Sequence, residues 1–376
     1  MPRLAEDLSG TINHKVDALL PSPIRAFDAE ISKIPGIIKL TIGEPDLNTP
    51  DHVKEAAIAD IKKNDSHYPP MNGKKELRDA ISAYLKRTRG VDYDPDSEIV
   101  VTVGATEAAY CTLTTLLNTG DKVICLTPLW SPYFKFIQLP GATVVQADTE
   151  KDGFMLTPEN LEETIKREGN GVKAVVLNYP SNPTGREYTA DELEALAKVI
   201  RKYHLYAITD EIYSELVYGV EHVSIAKFIP ERTIIISGLS KSHAMTGWRL
   251  GYVAGPQGIV KQISKLHGLV VMTVTDNVQA AATEALNNGA ADAIAARDIY
   301  QKRRDLMVDG LTKLGFKMLK PQGAFYIFPE IPEEYGTDDL QFCKDLAKKA
   351  KVGLTPGSAF GKGGAGHVRL SYAAST

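Results

Sequence analysis

The sequence predicts an α/β protein, with a large domain whose mostly parallel sheet lies between helices and a smaller α+β domain. The chain has 376 residues, which is too long for one simple core and suits two domains. From about residue 98, short apolar runs alternate with helical stretches, as in parallel strands covered by helices on both faces. Beyond about residue 285 the order of strands and helices changes, which indicates a second unit.

Seven runs rich in β-branched residues predict the strands of the large domain. They lie at residues 99–103, 123–126, 143–145, 174–177, 205–209, 233–236 and 250–254. Between the fourth and fifth runs, Thr189 and Glu192 form a capping box that opens a helix. The apolar face of this helix carries Leu193, Leu196, Val199 and Ile200. The middle of the chain is therefore predicted to be doubly wound.

The C-terminal part predicts the smaller domain. Residues 290–315 and 338–350 indicate helices, and residues 324–328 and 367–372 indicate strands. We assign residues 46–285 to the large domain, and residues 1–45 and 286–376 to the small one. The sequence stops just past a strand without a closing helix. Either the small domain is unusually short or the natural C-terminus lies further on, and we expect the second.

Composition narrows the class of protein. A net charge of −4 gives no reason to expect nucleic acid or an anionic membrane as a partner. Three widely separated cysteines suit reduced thiols rather than a disulfide framework or a zinc site, so no metal is predicted. No apolar run reaches transmembrane length, and the N-terminus is too polar for a signal peptide. We expect a soluble cytoplasmic protein.

Candidate functional residues follow the strands at their carboxyl ends, which meet at one edge of a parallel sheet. Lys241 follows the sixth run, where a desolvated amine suits a Schiff base, and Arg249 offers a fixed charge for a phosphate. This pair suggests pyridoxal 5'-phosphate, although an ordinary lysine after a core strand explains the segment equally well.

The other strand ends supply the remaining parts of such a site. A small-residue turn at Gly104 opens a helix whose free N–H groups make a phosphate cradle. Three other runs are followed by an aromatic side chain, an amide and a carboxylate. The aromatic side chain suits the face of the cofactor ring, the amide suits its 3'-oxygen, and the carboxylate suits its pyridine nitrogen. These residues are Ala105, Thr106, Trp130, Asn182, Asp210 and Tyr213. Together at one edge, they favour a pyridoxal phosphate site.

The chain resembles the class I/II aminotransferases of pyridoxal-phosphate (PLP) fold type I over essentially its whole length. The blocks Asn-Pro-Thr-Gly, Asp-Glu-Ile-Tyr and Ser-Lys-x5-Gly-Trp-Arg occur in the family's order and spacing. The chain is similar to the bacterial aromatic-amino-acid and N-acetyl-LL-diaminopimelate aminotransferases, with which it shares Ser-Glu-Leu after Tyr213 and Gly-Leu-Ser-Lys-Ser-His around Lys241.

The resemblance implies a role for each residue around the cofactor ring. Lys241 would hold pyridoxal phosphate as a Schiff base and later move the proton at the substrate Cα. Asp210 would pair with the pyridine N–H, and Trp130 would stack on the ring. Asn182 and Tyr213 would donate hydrogen bonds to the 3'-oxygen.

The resemblance also implies the phosphate contacts. These would come from Ala105, Thr106, Ser240 and Arg249. The family often has a second hydroxyl three residues before the lysine, but Gly238 occupies that position here. Ser237 lies one residue further back, so its contact with the phosphate stays open.

Three residues are implied in substrate binding and assembly. Arg369, with Asn182, would bind the substrate α-carboxylate, and Gly43 would lie against the same group. Tyr68 matches a tyrosine that reaches the phosphate of the neighbouring subunit, which implies an obligate homodimer. A plain loop tyrosine remains the alternative for Tyr68.

We therefore expect an aminotransferase that moves the amino group of an aromatic or other bulky amino acid to a 2-oxo acid such as 2-oxoglutarate, by a ping-pong mechanism. A C–S β-lyase and an enzyme specific for aspartate or N-acetyl-LL-diaminopimelate are the alternatives. No motif places an arginine that recognises an acidic side chain; Arg25 lies in a segment that often borders the pocket in the family, and a surface arginine is the alternative for it. The non-enzyme alternative is a regulatory effector domain. The family blocks begin within about forty residues of the start, and we expect no room there for a helix-turn-helix segment.

Two motifs are given no functional role. Residues 361–366 spell G-x-G-x-x-G, but they precede a predicted strand and open no helix, so no dinucleotide site is predicted. His243 is expected to pack behind the site rather than to act as a ligand or base.

Overall fold

The computed structural model describes residues 3–374, and its strands confirm the predicted seven-stranded sheet. The strands are β1 (Ile38–Lys39), β2 (Ile99–Thr102), β3 (Lys122–Thr127), β4 (Thr143–Asp148), β5 (Val172–Asn178), β6 (Tyr206–Asp210), β7 (Thr233–Gly238), β8 (Gly251–Ala254), β9 (Tyr326–Ile327), β10 (Val352–Gly353), β11 (Thr355–Pro356) and β12 (Val368–Ser371). The central sheet has the order β2-β8-β7-β6-β5-β3-β4. Its pairs are parallel except those of β8, which is antiparallel to both neighbours.

Helices cover the central sheet and build the rest of the chain. They are α1 (His14–Asp17), α2 (Pro23–Ile31), α3 (Asp51–Lys62), α4 (Lys75–Arg89), α5 (Gly104–Leu116), α6 (Pro132–Gln138), α7 (Pro158–Glu168), α8 (Ala190–Lys202), α9 (Gln257–Val270), α10 (Asp276–Asn288), α11 (Ala290–Lys313) and α12 (Asp339–Ala350). In α8 the capping box between Thr189 and Glu192 is present, and the predicted apolar face is buried. None of these helices is long and apolar enough to cross a membrane.

The central strands are buried on both faces, which explains why they are apolar along their whole length. Every residue of β2, β7 and β8 is buried. Two apolar clusters fill the space between the sheet and its helices on opposite faces, one around Leu196 and Leu161 and the other around Leu113 and Ile263. The carboxyl ends of the parallel strands β3, β5, β6 and β7 therefore open onto one edge.

The smaller unit contains the three-stranded sheet β11-β12-β9 and the pair β1-β10, together with α11 and α12. The predicted strand at residues 324–328 is wrong in extent, because only Tyr326–Ile327 pairs. The chain enters it through Ala324, whose φ of +57° is left-handed and cannot continue a strand. Since β1 pairs with β10, the N-terminal segment meets the C-terminal part of the chain, and the domain boundaries stay a prediction.

Candidate active site

Lys241 lies three residues beyond the end of β7, and its side chain is mostly buried. Its Nζ donates a hydrogen bond to the carbonyl oxygen of Gly43 at 2.8 Å. It forms no ion pair with a carboxylate in the part of the chain that the structure describes. Burial lowers the pKa of Lys241 to about 8; Arg369 and Arg249 lower it too, whereas Glu44 raises it. About one-tenth of such amines are neutral at pH 7, so a nucleophile is available.

Asp210 is the last residue of β6 and is buried, and it forms no ion pair with a cationic side chain among residues 3–374. The hydroxyl of Tyr133 donates to Oδ2 at 2.8 Å, and the backbone N–H of Ile212 donates to Oδ1 at 3.2 Å. Burial raises the pKa of Asp210 to about 6, although the bond from Tyr133 opposes the shift. The protonated pyridine nitrogen of pyridoxal phosphate, the predicted cofactor, would supply the positive charge that this carboxylate lacks.

A buried network surrounds Glu211, the residue next to Asp210. Oε2 of Glu211 accepts from Nε of Arg89 at 2.6 Å and lies 3.2 Å from Nε2 of His222, whose Nδ1 lies 2.9 Å from Glu187. Burial alone would raise the pKa of Glu211, but His222 and Arg89 lower it to about 2. Glu211 is thus an anion neutralised within its own network, and Asp210 is left as the unpaired carboxylate.

Arg369 in β12 is a buried guanidinium that faces no carboxylate among residues 3–374. Its Nη1 donates to Oδ1 of Asn182 at 2.9 Å, and its Nη2 donates to the carbonyl oxygen of Thr41. Its Nε is buried and has no hydrogen-bond partner in the described chain. Burial lowers the pKa of Arg369. A carboxylate ligand would satisfy both the orphan donor and the charge.

Gly43, Tyr326 and Tyr213 meet beside Lys241. A Cβ at Gly43 would overlap the hydroxyl of Tyr326, so only glycine leaves room there. The hydroxyl groups of Tyr326 and Tyr213 are 2.8 Å apart. The ring centroid of Tyr213 lies 5.9 Å from Nζ of Lys241. The ring of Tyr213 therefore lies near the amine, and its contact with the 3'-oxygen stays a prediction.

The turn that is predicted to hold the phosphate lies where α5 begins. Gly104 has a φ of +78°, and a Cβ there would lie 2.6 Å from Nη2 of Arg249. A Cβ at Gly251 would overlap the backbone nitrogen of Ala105, so this turn is closely packed against β8. The side chain of Thr106 is exposed. A helix N-terminus beside a guanidinium is a setting that suits a phosphate.

Ser237 and Gly238, which precede Lys241, bear on whether a second serine hydroxyl contacts the phosphate. Ser237 is buried, and its Oγ donates to the carbonyl oxygen of Glu211 at 3.2 Å. A Cβ at Gly238 would lie only 2.7 Å from the carbonyl oxygen of Leu250. We therefore leave Ser237 out of the proposed phosphate contacts and retain Ser240, which is buried next to Lys241.

Trp130 and Tyr68 occupy different positions. Trp130 is half-buried, and its ring centroid is 5.7 Å from that of Tyr133, which places it beside the partner of Asp210. Tyr68 is 85% exposed. It lines a surface cavity of about 680 Å³ with residues 60–61, 65–67, 69, 271 and 273–277, and not the cluster around Lys241. Within one chain, the structure does not bring Tyr68 to the other predicted residues.

Sequence reasoning missed Tyr133 and Tyr326, which contact predicted site residues. Tyr133 lies in the same segment after a strand as Trp130, so its position could have indicated a contact with Asp210. Tyr326 lies inside a predicted strand and carries no local signal. Among the described residues, no group of three or more histidine, cysteine, aspartate or glutamate side chains is arranged so that it could hold a metal ion.

The two motifs without an assigned role have structural contacts. His243 is buried, its Nδ1 lies 2.8 Å from Oγ of Ser242, and its Nε2 lies 3.0 Å from the carbonyl oxygen of Gly289. Burial lowers the pKa of His243, which suits a neutral packing residue. Residues 361–366 form turns before β12, and the backbone N–H of Lys362 donates to Gln146 at 2.8 Å.

Comparison with known proteins identifies the family. The profile of the family described as aminotransferase class I and II matches residues 35–376. A relative from Bacillus subtilis (strain 168), named a probable N-acetyl-LL-diaminopimelate aminotransferase, is 42% identical over 97% of this chain and 92% of its own length. The aromatic-amino-acid aminotransferase 2 of Thermococcus litoralis is 37% identical over 96% and 94%. The solved aspartate aminotransferase from Thermus thermophilus with maleate has a TM-score of 0.92, 36% identity and coverage of 97% and 95%.

Proposed function

Because this chain belongs to the class I and II aminotransferases and is therefore a pyridoxal-phosphate-dependent enzyme, we propose that Lys241, Asp210 and Arg369 form the centre of its active site. One observation carries the proposal: each of these three ionisable groups is buried and lacks an oppositely charged partner among residues 3–374. Such groups are costly unless a ligand completes them, and an amino acid with this cofactor supplies the matching charges.

The cofactor would be held by contacts at its ring and its phosphate. At the ring, Asp210 pairs with the pyridine nitrogen and Trp130 stacks, while Asn182 and Tyr213 donate to the 3'-oxygen. At the phosphate, the contacts are Ala105, Thr106, Ser240 and Arg249. Oδ1 of Asn182 faces Arg369, which leaves its amide donors for the 3'-oxygen. When bound, pyridoxal phosphate supplies the electron sink for the bond electrons at the substrate Cα.

Lys241 would carry the proton at the reacting carbon. A base works best when its pKa lies near the working pH, and the pKa of about 8 meets that condition. The amine is held by the carbonyl oxygen of Gly43, on the segment that we propose lies against the substrate carboxylate. The amine that would move the proton therefore lies next to the segment that would contact the substrate carboxylate.

Arg369 would orient the substrate. Its guanidinium lies 4.5 Å from the ring centroid of Tyr326 and 4.9 Å from that of Phe360, so it has little freedom to move. A planar fork held in this way binds an α-carboxylate in one orientation. That orientation sets the Cα–H bond relative to the cofactor ring and to Lys241.

The protein acts on amino acids and 2-oxo acids, and we propose aromatic or other bulky amino acids as donors with 2-oxoglutarate as acceptor. Phe360 belongs to an apolar cluster with Phe154 and Phe328, against which Ile24 of α2 packs. This cluster adjoins Arg369 through Phe360, which favours an apolar side chain near the carboxylate site. An aspartate- or N-acetyl-LL-diaminopimelate-specific enzyme is the second candidate, because Arg25 is exposed on α2 and makes no ion pair in the described residues.

A panel of amino donors, each tested with 2-oxoglutarate, pyruvate and oxaloacetate, tests the substrate proposal. We expect the highest kcat/KM with phenylalanine or tyrosine and 2-oxoglutarate, unchanged in Arg25→Gln. Preference for aspartate that is lost in Arg25→Gln would support the second candidate instead. Formation of pyruvate and ammonia without an acceptor would indicate β-lyase activity and contradict the proposed reaction.

We further propose a homodimer in which Tyr68 reaches the phosphate of the partner's site. Tyr68 is exposed, and so are the large apolar side chains of Ile61, Leu269 and Met272, a pattern that marks an interaction surface. Hybrid dimers test this assignment, combining one Lys241→Ala protomer with one Tyr68→Ala protomer. If Tyr68 acts across the interface, one site of the hybrid is intact and activity returns; a hybrid as inactive as its parents would refute it.

We also propose a cytoplasmic location. The three cysteines Cys111, Cys125 and Cys343 are buried and free, which suits a reducing compartment. Fractionation of the native cells tests this, and recovery in an oxidising compartment would contradict it.

A further inference from the structure

A buried pair, Glu107 and His267, lies behind the predicted phosphate cradle. Glu107 is in the first turn of α5, and its Oε2 accepts from the backbone N–H of Val103. Its Oε1 lies 2.7 Å from Nδ1 of His267, a fully buried residue of α9. Nε2 of His267 lies 3.0 Å from the carbonyl oxygen of Met71. The pair therefore connects the start of α5 to the segment that carries Tyr68.

The atoms that face His267 determine which of its ring nitrogens carries a hydrogen. The carbonyl oxygen of Met71 can only accept, so Nε2 of His267 must carry a hydrogen. The contact of 2.7 Å between Nδ1 and Glu107 then needs one proton, on either partner. In both cases the imidazole bonds on both sides, and its ring orientation is determined.

The segment of residues 67–73 is attached to the same framework. The hydroxyl of Ser264, also in α9, donates to the side chain of Asn72. The backbone N–H of Val101 in β2 donates to the carbonyl oxygen of Asn72 at 3.0 Å, and Thr273 donates to Pro70 at 3.1 Å. The anchored half of this segment thus follows the position of α9 and β2, while Tyr68 extends outward.

We propose that Glu107 and His267 are positioning residues that serve two active sites. In its own subunit, the pair holds the first turn of α5, whose N–H groups would bind the phosphate. Through Met71, it also holds the segment that presents Tyr68 to the partner's phosphate. The inference rests on the proposed function, because it requires that the cradle bind phosphate and that Tyr68 cross the interface.

Two substitutions of His267 separate these connections. In His267→Asn, the amide nitrogen lies near the place of Nδ1, so the bond to Glu107 is kept and the bond to Met71 is lost. In His267→Gln, the amide nitrogen lies near the place of Nε2, so the bond to Met71 is kept and the bond to Glu107 is lost. His52→Asn is a matched control, since His52 bridges Glu284 and Asp292, which lie in neither the cradle nor the segment.

The experiment uses hybrid dimers in which one protomer carries Lys241→Ala, so that only the other site can develop the visible band of the lysine Schiff base, which is distinct from the absorbance of free pyridoxal phosphate. We expect His267→Gln to weaken the affinity of that live site about tenfold only when it is in the live protomer. His267→Asn should do so only when it is in the Lys241→Ala protomer. Affinity for pyridoxal, which lacks the phosphate, should change by less than about twofold in each case.

Each of the other outcomes contradicts a specific part of the proposal. If both substitutions leave the affinity unchanged, or affect pyridoxal equally, the pair has no positioning role toward the phosphate. If both act only in the live protomer, the connection to the partner's site is wrong. If His52→Asn has the same effect, the change reflects general stability, which also overturns the inference. Absence of visible absorbance in the unsubstituted hybrid would instead refute the proposed function itself.

Discussion

In the apoprotein, the amine of Lys241 should become reactive near pH 8, whereas an ordinary lysine amine does so near pH 10.5. The physical reason is that the buried site disfavours the charged amine, and Arg369 and Arg249 add to this effect. At pH 7 about one-tenth of the Lys241 amines would be neutral, against about three in ten thousand for an ordinary lysine. The reactive fraction is therefore about 300-fold larger.

Trace labelling with acetic anhydride measures this titration. The extent of labelling at Lys241 is followed by mass spectrometry between pH 6 and pH 11, with a lysine-containing model peptide as reference. In Glu44→Gln the midpoint should fall below that of the unsubstituted apoprotein, because the charge of Glu44 favours the ammonium form. A midpoint near pH 10.5, or an upward shift in Glu44→Gln, would refute the reasoning.

The same titration has a consequence for the stability of the apoprotein. The folded pKa of Lys241 is lower than the unfolded one, so its contribution to the free energy of unfolding rises as the pH increases from 8 to 10.5. Replacing it in Lys241→Met should stabilise the apoprotein by about 3 kcal/mol at pH 7 and by only about 1 kcal/mol at pH 9.5. Urea unfolding at both pH values gives this difference, and a gain that does not shrink with pH would contradict it.

Three further predictions concern the residues around Lys241. Arg369→Lys should lower kcat/KM for the amino donor about 100-fold, since the planar fork is lost, while the visible absorbance of the bound cofactor persists; equal kinetics would contradict the carboxylate role. Tyr133→Phe should raise the pKa of Asp210 in the apoprotein above about 6, because the hydroxyl favours the ionised form, so the carboxyl titration followed by carbon-13 NMR should move to higher pH; an unmoved midpoint would count against this. Gly43→Ala places a methyl group onto the hydroxyl of Tyr326 and should lower kcat/KM at least about tenfold without changing the circular dichroism; full activity would show that the close approach is unnecessary.

Much of the site could be predicted because it depends on the ends of strands. Parallel strands between helices leave a recognisable pattern of apolar runs, and their carboxyl ends must share an edge. Asp210, at the end of β6, accordingly lies at this edge, and in the structure its register neighbour in β5 is Asn178. The capping box of α8 was equally predictable, since it depends on residues only three positions apart.

Other contacts could not be predicted from local patterns. The two-residue strands β1, β10 and β11 are too short to show a period, and they pair only because distant segments meet. The contact between the Tyr213 and Tyr326 hydroxyls joins residues 113 positions apart, and the sequence around neither residue predicts it. The bond from Tyr133 to Asp210 likewise depends on how the chain leaves β3.

The sequence by itself determined the class of fold, and it predicted the sheet edge at which the functional residues lie and, through family motifs, the role of Lys241. Periodicity and capping are local properties, so they can be read along the chain. Only the tertiary structure decided that Lys241 and Arg369 are buried without carboxylate partners in the described part of the chain, and that Glu211 is neutralised by its neighbours while Asp210 is not. Charge pairing and desolvation depend on which distant groups surround a side chain, and no local pattern encodes that.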